Sequence, residues 1–434
     1  MEKIYRYFAE IVGKDNFFTN QAHIAEYSIC VDYTGKSVPH LPAAVIRPRH
    51  KSQFAKIFEI CAGNKIPVAI RGMGNSNSSA VNRPNTLLIL TTGLDRIFDI
   101  DRKSRIIHLQ AGIRCLDLAR ISARHGLHFP YGALSGCSGT IGGAIAMNMG
   151  ESLKFGPLSS HVMRLGIFAT NGRHFDFFSA SGVPGRFGSG LSMAPVFCGS
   201  QGHLGLIDEI YLRLPPLAEN ISTACFVCAN AAVADKALSA IMEKSIEPEF
   251  LELYDSLCAH EILDEKLEHD AILIICGIGV SQASRMAEMA VQAGARIAQA
   301  DEESVKERCR GMLAAIYATG LRFRIEHIAF PLARLKAFLD AIYALDIKYS
   351  TQLGFFGNAG SANFSVLVPI EHCSSICREI FALELMLTDA MTDESDAEKE
   401  REAWQAARKK GNSIYGCIRS QMDPDGLLPS SDGI

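Results

Sequence analysis

The spacing of apolar and polar residues changes period several times along this chain, and each change marks an element. Residues 3–13 place apolar side chains at helical spacing and predict an amphipathic helix. Ala43-Ala44-Val45-Ile46-Arg47-Pro48 is a short apolar run ended by proline, which predicts a strand. From Lys51 to Asn64 the helical period returns, with Phe54, Ile57, Phe58 and Cys61 on one face. Pro67-Val68-Ala69-Ile70 predicts a second strand, so the segment reads as a β-α-β unit with two parallel strands. Residues 87–90 and 106–109 predict further strands, and 116–125 a helix with Gly126 at its stop. Residues 162–169 and 207–214 are strand-like, and Leu214-Pro215-Pro216 closes the region.

The second half has a different rhythm. Helical spacing covers 231–244, 281–293 (with Gly294 as a stop) and 332–345. Between these lie strand-like runs at 250–254, 271–280, 325–331 and 363–369. The order predicts an α/β sandwich on a mostly antiparallel sheet. Residues 389–411 are dense in charge and predict a solvated helix or arm.

Composition narrows the class. A chain of 434 residues exceeds one ordinary domain, and 48% hydrophobic with 21% charged residues is a globular balance. A net charge of −4 provides no basic footprint for nucleic acid. Thirteen cysteines are scattered, and the one CxxC, Cys225-Phe226-Val227-Cys228, has an apolar spacer and no second pair to complete a zinc site. These read as buried thiols in a reducing compartment, without an iron–sulfur cluster. The start has no signal-peptide core, and the longest apolar run, Ala271 to Ile278, is too short to span a membrane. The expectation is a cytoplasmic protein, with any membrane association made through a partner.

Chemistry concentrates in two glycine runs. Ile70-Arg71-Gly72-Met73-Gly74-Asn75-Ser76-Asn77-Ser78-Ser79 follows the second strand, and Gly139-Thr140-Ile141-Gly142-Gly143 comes later. Glycine lets backbone N–H groups close on a phosphate, so two such runs suggest a diphosphate cofactor held from two sides. Neither run matches the GxGxxG dinucleotide pattern, and each alone also reads as a turn.

In context these runs resemble the FAD-binding domain of the vanillyl-alcohol-oxidase/p-cresol-methylhydroxylase superfamily, of the glycolate oxidase and D-lactate dehydrogenase flavin-subunit type. Pro42 to Pro48 resembles the entry strand, Pro67 to Gly74 the first pyrophosphate loop, Gly139 to Gly150 the second, and Cys198 to Gly205 the GSEGTLG segment. The resemblance implies an α+β chain: a PCMH-type FAD-binding domain of two α/β subdomains over 1–215, a substrate or cap domain over 216–385, and a charged segment and tail over 386–434 that packs back on the first domain. It implies FAD held by Arg71, Gly72, Met73, Gly74, Asn75, Ser76, Asn77 and Ser78 on one side. Ser135, Gly139, Thr140, Gly142 and Gly143 close from the other, and Asn148 and the backbone near Ile207 complete the site. The binding is expected to be non-covalent, because Asn75 stands near where tethering relatives carry histidine, and Cys137 reads as a structural thiol.

The second half is similar to the family's oxidase domain at Glu247 to Asp255, Glu326 to Leu335 and Met422 to Pro429. It departs at the catalytic signature. Where relatives that oxidise D-2-hydroxy acids carry GHxGDGNxH, with two metal-binding histidines, this chain reads Gly357-Asn358-Ala359-Gly360-Ser361-Ala362-Asn363-Phe364-Ser365. The later Gly-Glu-His-Gly motif has no counterpart. Amide and hydroxyl oxygens are poor zinc ligands beside imidazole, so no metal is expected.

The catalytic candidates are therefore Arg324, for a substrate carboxylate, His327, as a base or a satisfied sheet histidine, and Asn358 and Asn363, as orienting amides or turn residues. On an unbroken strand Arg322 and Arg324 share one face and His327 takes the other. The expected activity is metal-free hydride transfer to flavin from a small hydroxylated substrate, 2-hydroxy acids included. The electrons would pass to an acceptor protein such as an iron–sulfur subunit. An accessory subunit without its own hydroxy-acid site, and a phenol or polyol oxidase, are the alternatives.

Overall fold

A computed structural model of the chain describes residues 2–28, 41–75, 85–129, 131, 139–149, 154–179, 191–217, 221–243, 248–360, 362–388 and 414–429. The charged stretch 389–411 lies outside them. Three sheets organise the rest.

The first sheet comprises β1 (Phe17–Phe18), β2 (Ala44–Ile46), β3 (Val68–Arg71) and β4 (Leu87–Leu90) in the order β1-β2-β4-β3. The β2 and β3 strands of the β-α-β unit are parallel, but β4 lies between them and pairs with both. The connecting helix, Ser52–Asn64, buries Phe54, Ile57, Phe58 and Cys61, the four residues that its spacing places on one face. The second sheet comprises β5 (Ile97–Asp101), β6 (Ile106–Gln110), β7 (Val162–Phe168), β8 (His174–Phe178) and β9 (Leu206–Arg213). Its order is β5-β6-β9-β7-β8, and every pairing is antiparallel.

The third sheet has seven strands: β10 (Ile221–Cys228), β11 (Phe250–Tyr254), β12 (Ile272–Gly279), β13 (Arg296–Ile297), β14 (Phe323–Ala329), β15 (Gly354–Asn358) and β16 (Asn363–Pro369). The order is β13-β10-β12-β11-β15-β16-β14, antiparallel throughout. The Ile272–Ile278 run is unbroken in hydrophobicity because β12 is central and buried on both faces. Helices Ala231–Glu243, Val280–Gln292, Leu335–Tyr349 and Cys373–Leu387 cover one face, around Phe338, Ile342, Ile376 and Phe355. Helices Ser256–Leu263 and Glu302–Ala318 cover the other, around Tyr254, Cys258, Val305 and Met312.

That second cover is incomplete. Over β14 and β16 only the Phe323 and Leu367 end is buried, and toward the other end the residues pointing to this face are more open: Ile325 and Ser365 are half-buried, and His327, Ala329 and Asn363 are exposed.

The tail returns to the first half. After the helix Ile414–Met422, the Asp423 carboxylate accepts from Thr170 Oγ1 at 2.8 Å, Leu427 N at 2.8 Å and Leu428 N at 3.0 Å. Leu427 O in turn accepts from Val68 N at 2.8 Å, capping the edge strand β3. The Pro429 carbonyl meets His203 Nδ1 at 2.9 Å.

Asp255 shows how the third sheet treats a buried charge. It caps helix Ser256–Leu263 by accepting from Cys258 N and Leu257 N. Burial pushes its carboxyl up to about 6, against the lowering effect of those hydrogen bonds. The folded state therefore holds this proton more tightly than the unfolded chain. The contribution of Asp255 is greatest below the ordinary carboxyl range and is lost as pH rises through about 6. Asp255→Asn keeps a capping acceptor, and denaturant titrations between pH 4 and 6 should show a less negative slope of stability against pH than the wild type.

Candidate active site

The two glycine runs meet. β3 ends at Arg71, and the chain turns through Gly74 at a φ of 76°, a conformation glycine adopts without strain. A Cβ added to Gly72 would stand 2.3 Å from Thr140 Oγ1, so the first run lies directly against the second. Thr140 is buried, and its Oγ1 accepts from Gly143 N at 3.3 Å, capping the short helix Ile141–Ala146. A Cβ on Gly142 would meet Ala111 Cβ at 2.7 Å and Ala111 O at 2.9 Å. Gly139 differs, since its Cβ would have nothing within 4 Å. The Arg71 guanidinium is folded back beside Gly74, within 2.0 Å of where a Cβ would stand there.

This geometry fits a diphosphate. Two backbone segments approach without intervening side chains, one glycine looks into open space, and a buried cation lies beside the turn. Met73 and Asn75 are exposed at the rim. Ser76, Asn77, Ser78, Ser135 and Cys137 lie outside the described residues. Asn148 adopts a left-handed φ of 47°, and its Oδ1 accepts from Ser159 N at 3.2 Å, tying the second run to the segment behind it. The Ile207 side chain is buried beneath the second sheet, and its backbone pairs with Ile167. The 198–205 segment docks on the same helix, with Gly199 N and Gln201 N donating to Ile145 O and Ala146 O.

The third sheet leaves part of one face open. Asn358 and Asn363 are direct partners across β15 and β16. One row along, Ser365 pairs with His327, whose Nδ1 lies 3.1 Å from Ser365 Oγ. Two-residue periodicity puts Asn358, Asn363, Ser365 and His327 on the same face. Desolvation lowers the His327 pKa below the ordinary imidazole value, with Glu326 acting in the opposite sense. The Asn358 end of the sheet is also the end fastened to the first half. Glu249, just before β11, accepts from Lys154 Nζ at 2.5 Å, and Lys154 follows the second glycine run. His128 sits beside this pair, its pKa lowered by burial.

Arg324 is not part of this group. β14 pairs with β16 in unbroken register, so Arg324 points to the opposite face from His327 and forms an ion pair with Glu326 at 2.5 Å. Arg322 is also engaged elsewhere, with its guanidinium 4.0 Å from the Tyr317 ring centroid and Nη1 donating to Tyr317 O. Sequence reasoning passed over Glu252 and Tyr254. Both are buried, Glu252 faces Asn358 across β11 and β15, and the Tyr254 hydroxyl donates to the Glu252 carboxylate. A glutamate inside the apolar run Phe250 to Tyr254 was the available signal, since a buried carboxylate needs a partner.

Comparison with known proteins agrees with the cradle. Residues 42–177 match the model of an FAD binding domain, and residues 217–379 match the C-terminal domain of FAD linked oxidases. The chain belongs to the FAD-linked oxidases. The glycolate oxidase subunit GlcD of Bacillus subtilis is 25% identical, over 96% of this chain and 94% of that protein. D-lactate dehydrogenase of Anaerostipes hadrus is 22% identical over 75% and 73%. Among solved structures, substrate-bound p-cresol methylhydroxylase superposes with a TM-score of 0.76 at 14% identity, covering 100% of this chain and 96% of that one. Alkyldihydroxyacetonephosphate synthase gives 0.75 at 12%, covering 99% and 85%.

The flavoprotein fold and the FAD cofactor expected from the glycine runs are borne out, and the activity is that of an FAD-linked oxidoreductase. No described helix is long and apolar enough to cross a membrane.

Two glycine substitutions separate packing from cofactor contact in this FAD-linked oxidase. Gly142→Ala should cost about 1–3 kcal/mol in apoprotein stability, because its Cβ meets backbone. Gly139→Ala should leave apoprotein melting unchanged and weaken FAD binding, read by equilibrium dialysis. An unchanged FAD affinity in Gly139→Ala would remove that residue from the site.

Proposed function

We propose that this flavoenzyme oxidises a small hydroxylated substrate, with the 2-hydroxy acids of its named relatives as the first class to test. The reaction takes place on the open half-face of the third sheet. The observation that carries this reading is the convergence of His327, Ser365, Asn358 and Asn363 on that face, at the end of the sheet fastened to the cofactor domain by Lys154 and Glu249. Gly72, Gly74, Gly139, Thr140, Gly142 and Gly143 would hold FAD, which supplies the two-electron acceptor for a hydride leaving the CH–OH carbon.

His327, held by Ser365, takes the hydroxyl proton. Its lowered pKa keeps the imidazole neutral, and therefore able to accept, near pH 7. Asn358 and Asn363 supply amide donors and acceptors that orient the substrate oxygens without fixing a charge. Asn358 and Ser365 occupy the positions where hydroxy-acid relatives carry their metal histidines, so this proton transfer is proposed to run without a metal.

The division of labour follows the chain, with cofactor binding over 1–215, the substrate domain over 216–385 and the tail clamp over 386–434. Electrons pass to a protein acceptor, a proposal supported by relatives named as subunits. Arg324, turned to the far face, favours a second reading, an accessory flavin subunit that passes electrons without selecting a hydroxy acid.

Anaerobic mixing of the FAD-loaded protein with glycolate, D-lactate, polyols and phenols decides between these readings. Bleaching of the flavin band by one class is expected, whereas flavin that none of them bleaches would support the accessory reading. With the active substrate, His327→Gln should lower kcat/KM by about 100- to 10,000-fold. In the wild type, kcat/KM should fall on an acid limb lying below 6.5, the ordinary imidazole value, because protonated His327 cannot accept. Activity that persists unchanged in His327→Gln would remove it as the base.

A further inference from the structure

Eleven cysteines lie among the described residues, and seven of them are buried. Cys225 and Cys228 of the CxxC point to opposite faces of β10, into different cores. The half-buried Cys198 donates to Ala194 O, and burial pushes its thiol up to about 12. Cys417 is exposed. Cys373 and Cys377 are different. They are half-buried and one turn apart on helix Cys373–Leu387, with their sulfurs 3.6 Å apart.

We propose that Cys373 and Cys377 form a reversible dithiol–disulfide site that reacts with peroxide. Positions i and i+4 of a helix bring their Cβ atoms to about 5–6 Å, and a disulfide needs about 3.5–4.5 Å between them. The shortfall is met locally. Cys373 is the first residue of its helix, and the single turn Ile370–His372 before it is a tighter 3-10 turn. First-turn N–H groups have no intrahelical acceptor to lose, so the Cys373 backbone can shift without breaking the helix behind it.

The chemistry balances with peroxide as the sole oxidant. One thiol is oxidised to a sulfenic acid as the O–O bond breaks and a first water leaves. The second sulfur attacks it, the S–O bond breaks, the S–S bond forms and a second water leaves. Two thiols and one peroxide thus become a disulfide and two waters, and an external dithiol reverses the oxidation. The Cys377 thiol also contacts Glu326, on the strand that carries His327 on its other face. That contact and burial both push the Cys377 thiol up, with burial the larger cause, which leaves Cys373 to meet peroxide first.

One tryptic peptide tests the proposal. Tyr349 to Arg378 contains both cysteines and no internal Lys or Arg. The FAD-loaded full chain is treated with hydrogen peroxide, alkylated, digested and weighed. The expected result is a peptide lacking both alkyl groups and two hydrogens, restored to double alkylation by dithiothreitol. In Cys377→Ser, the remaining Cys373 should instead gain oxygen as a sulfinic acid. Two outcomes overturn the proposal. One is a peptide that stays doubly alkylated while Cys417 is oxidised. The other is a wild-type peptide that gains oxygen on each sulfur without losing two hydrogens.

Discussion

The contact between Gly72 and Thr140 is the constraint on which the cofactor half depends. A single methyl on Gly72 would overlap the Thr140 hydroxyl, so the loop after β3 and the cap of helix Ile141–Ala146 lie one atom's width apart. β3 belongs to a mostly parallel sheet and Thr140 lies beside an antiparallel one, so the contact joins two separately cored units. Gly142 against Ala111 repeats the arrangement one turn on. Backbone, rather than long side chains, therefore forms the walls of the cradle, which is the geometry a diphosphate needs.

Much of this was legible because the cofactor half uses local signals. Helix Ser52–Asn64 and strand β3 follow their hydrophobic spacing almost to the residue. The insertion of β4 between β2 and β3 was not legible, since strand order is set by long-range packing rather than local period. β15 was passed over because Gly354, Gly357 and Asn358 disfavour strands locally, and neighbours on both sides impose the extended form. Helix Glu302–Ala318 was legible but unread: its buried stripe of Val305, Cys309, Met312 and Ile316 has helical spacing, with polar residues on the other face. The opposition of Arg324 and His327 was foreseeable from strand alternation. The joining of His327 to Ser365 was not, because it depends on the register of β14 against β16.

The third sheet shows how an open face arises. Two helices cover its second face over β10, β11 and β12 and reach Phe323 and Leu367, and the residues beyond them on β14 and β16, His327, Ala329 and Asn363, are exposed. Apolar alternation relaxes where the cover stops, and polar side chains take the exposed positions. Glu252 and Tyr254 mark the boundary, a buried acid and phenol paired where the apolar floor meets the open half. Neutral groups then line the row from Asn358 to His327.

The tail clamp bears on the order in which this protein can be assembled. The strand leading into the first glycine run is sealed by Leu427, and the segment around His203 by Pro429. The first glycine run therefore leaves the ribosome more than three hundred positions before Leu427, which seals strand β3. Until then the nascent chain carries an unsealed sheet edge on the strand that leads into the cradle.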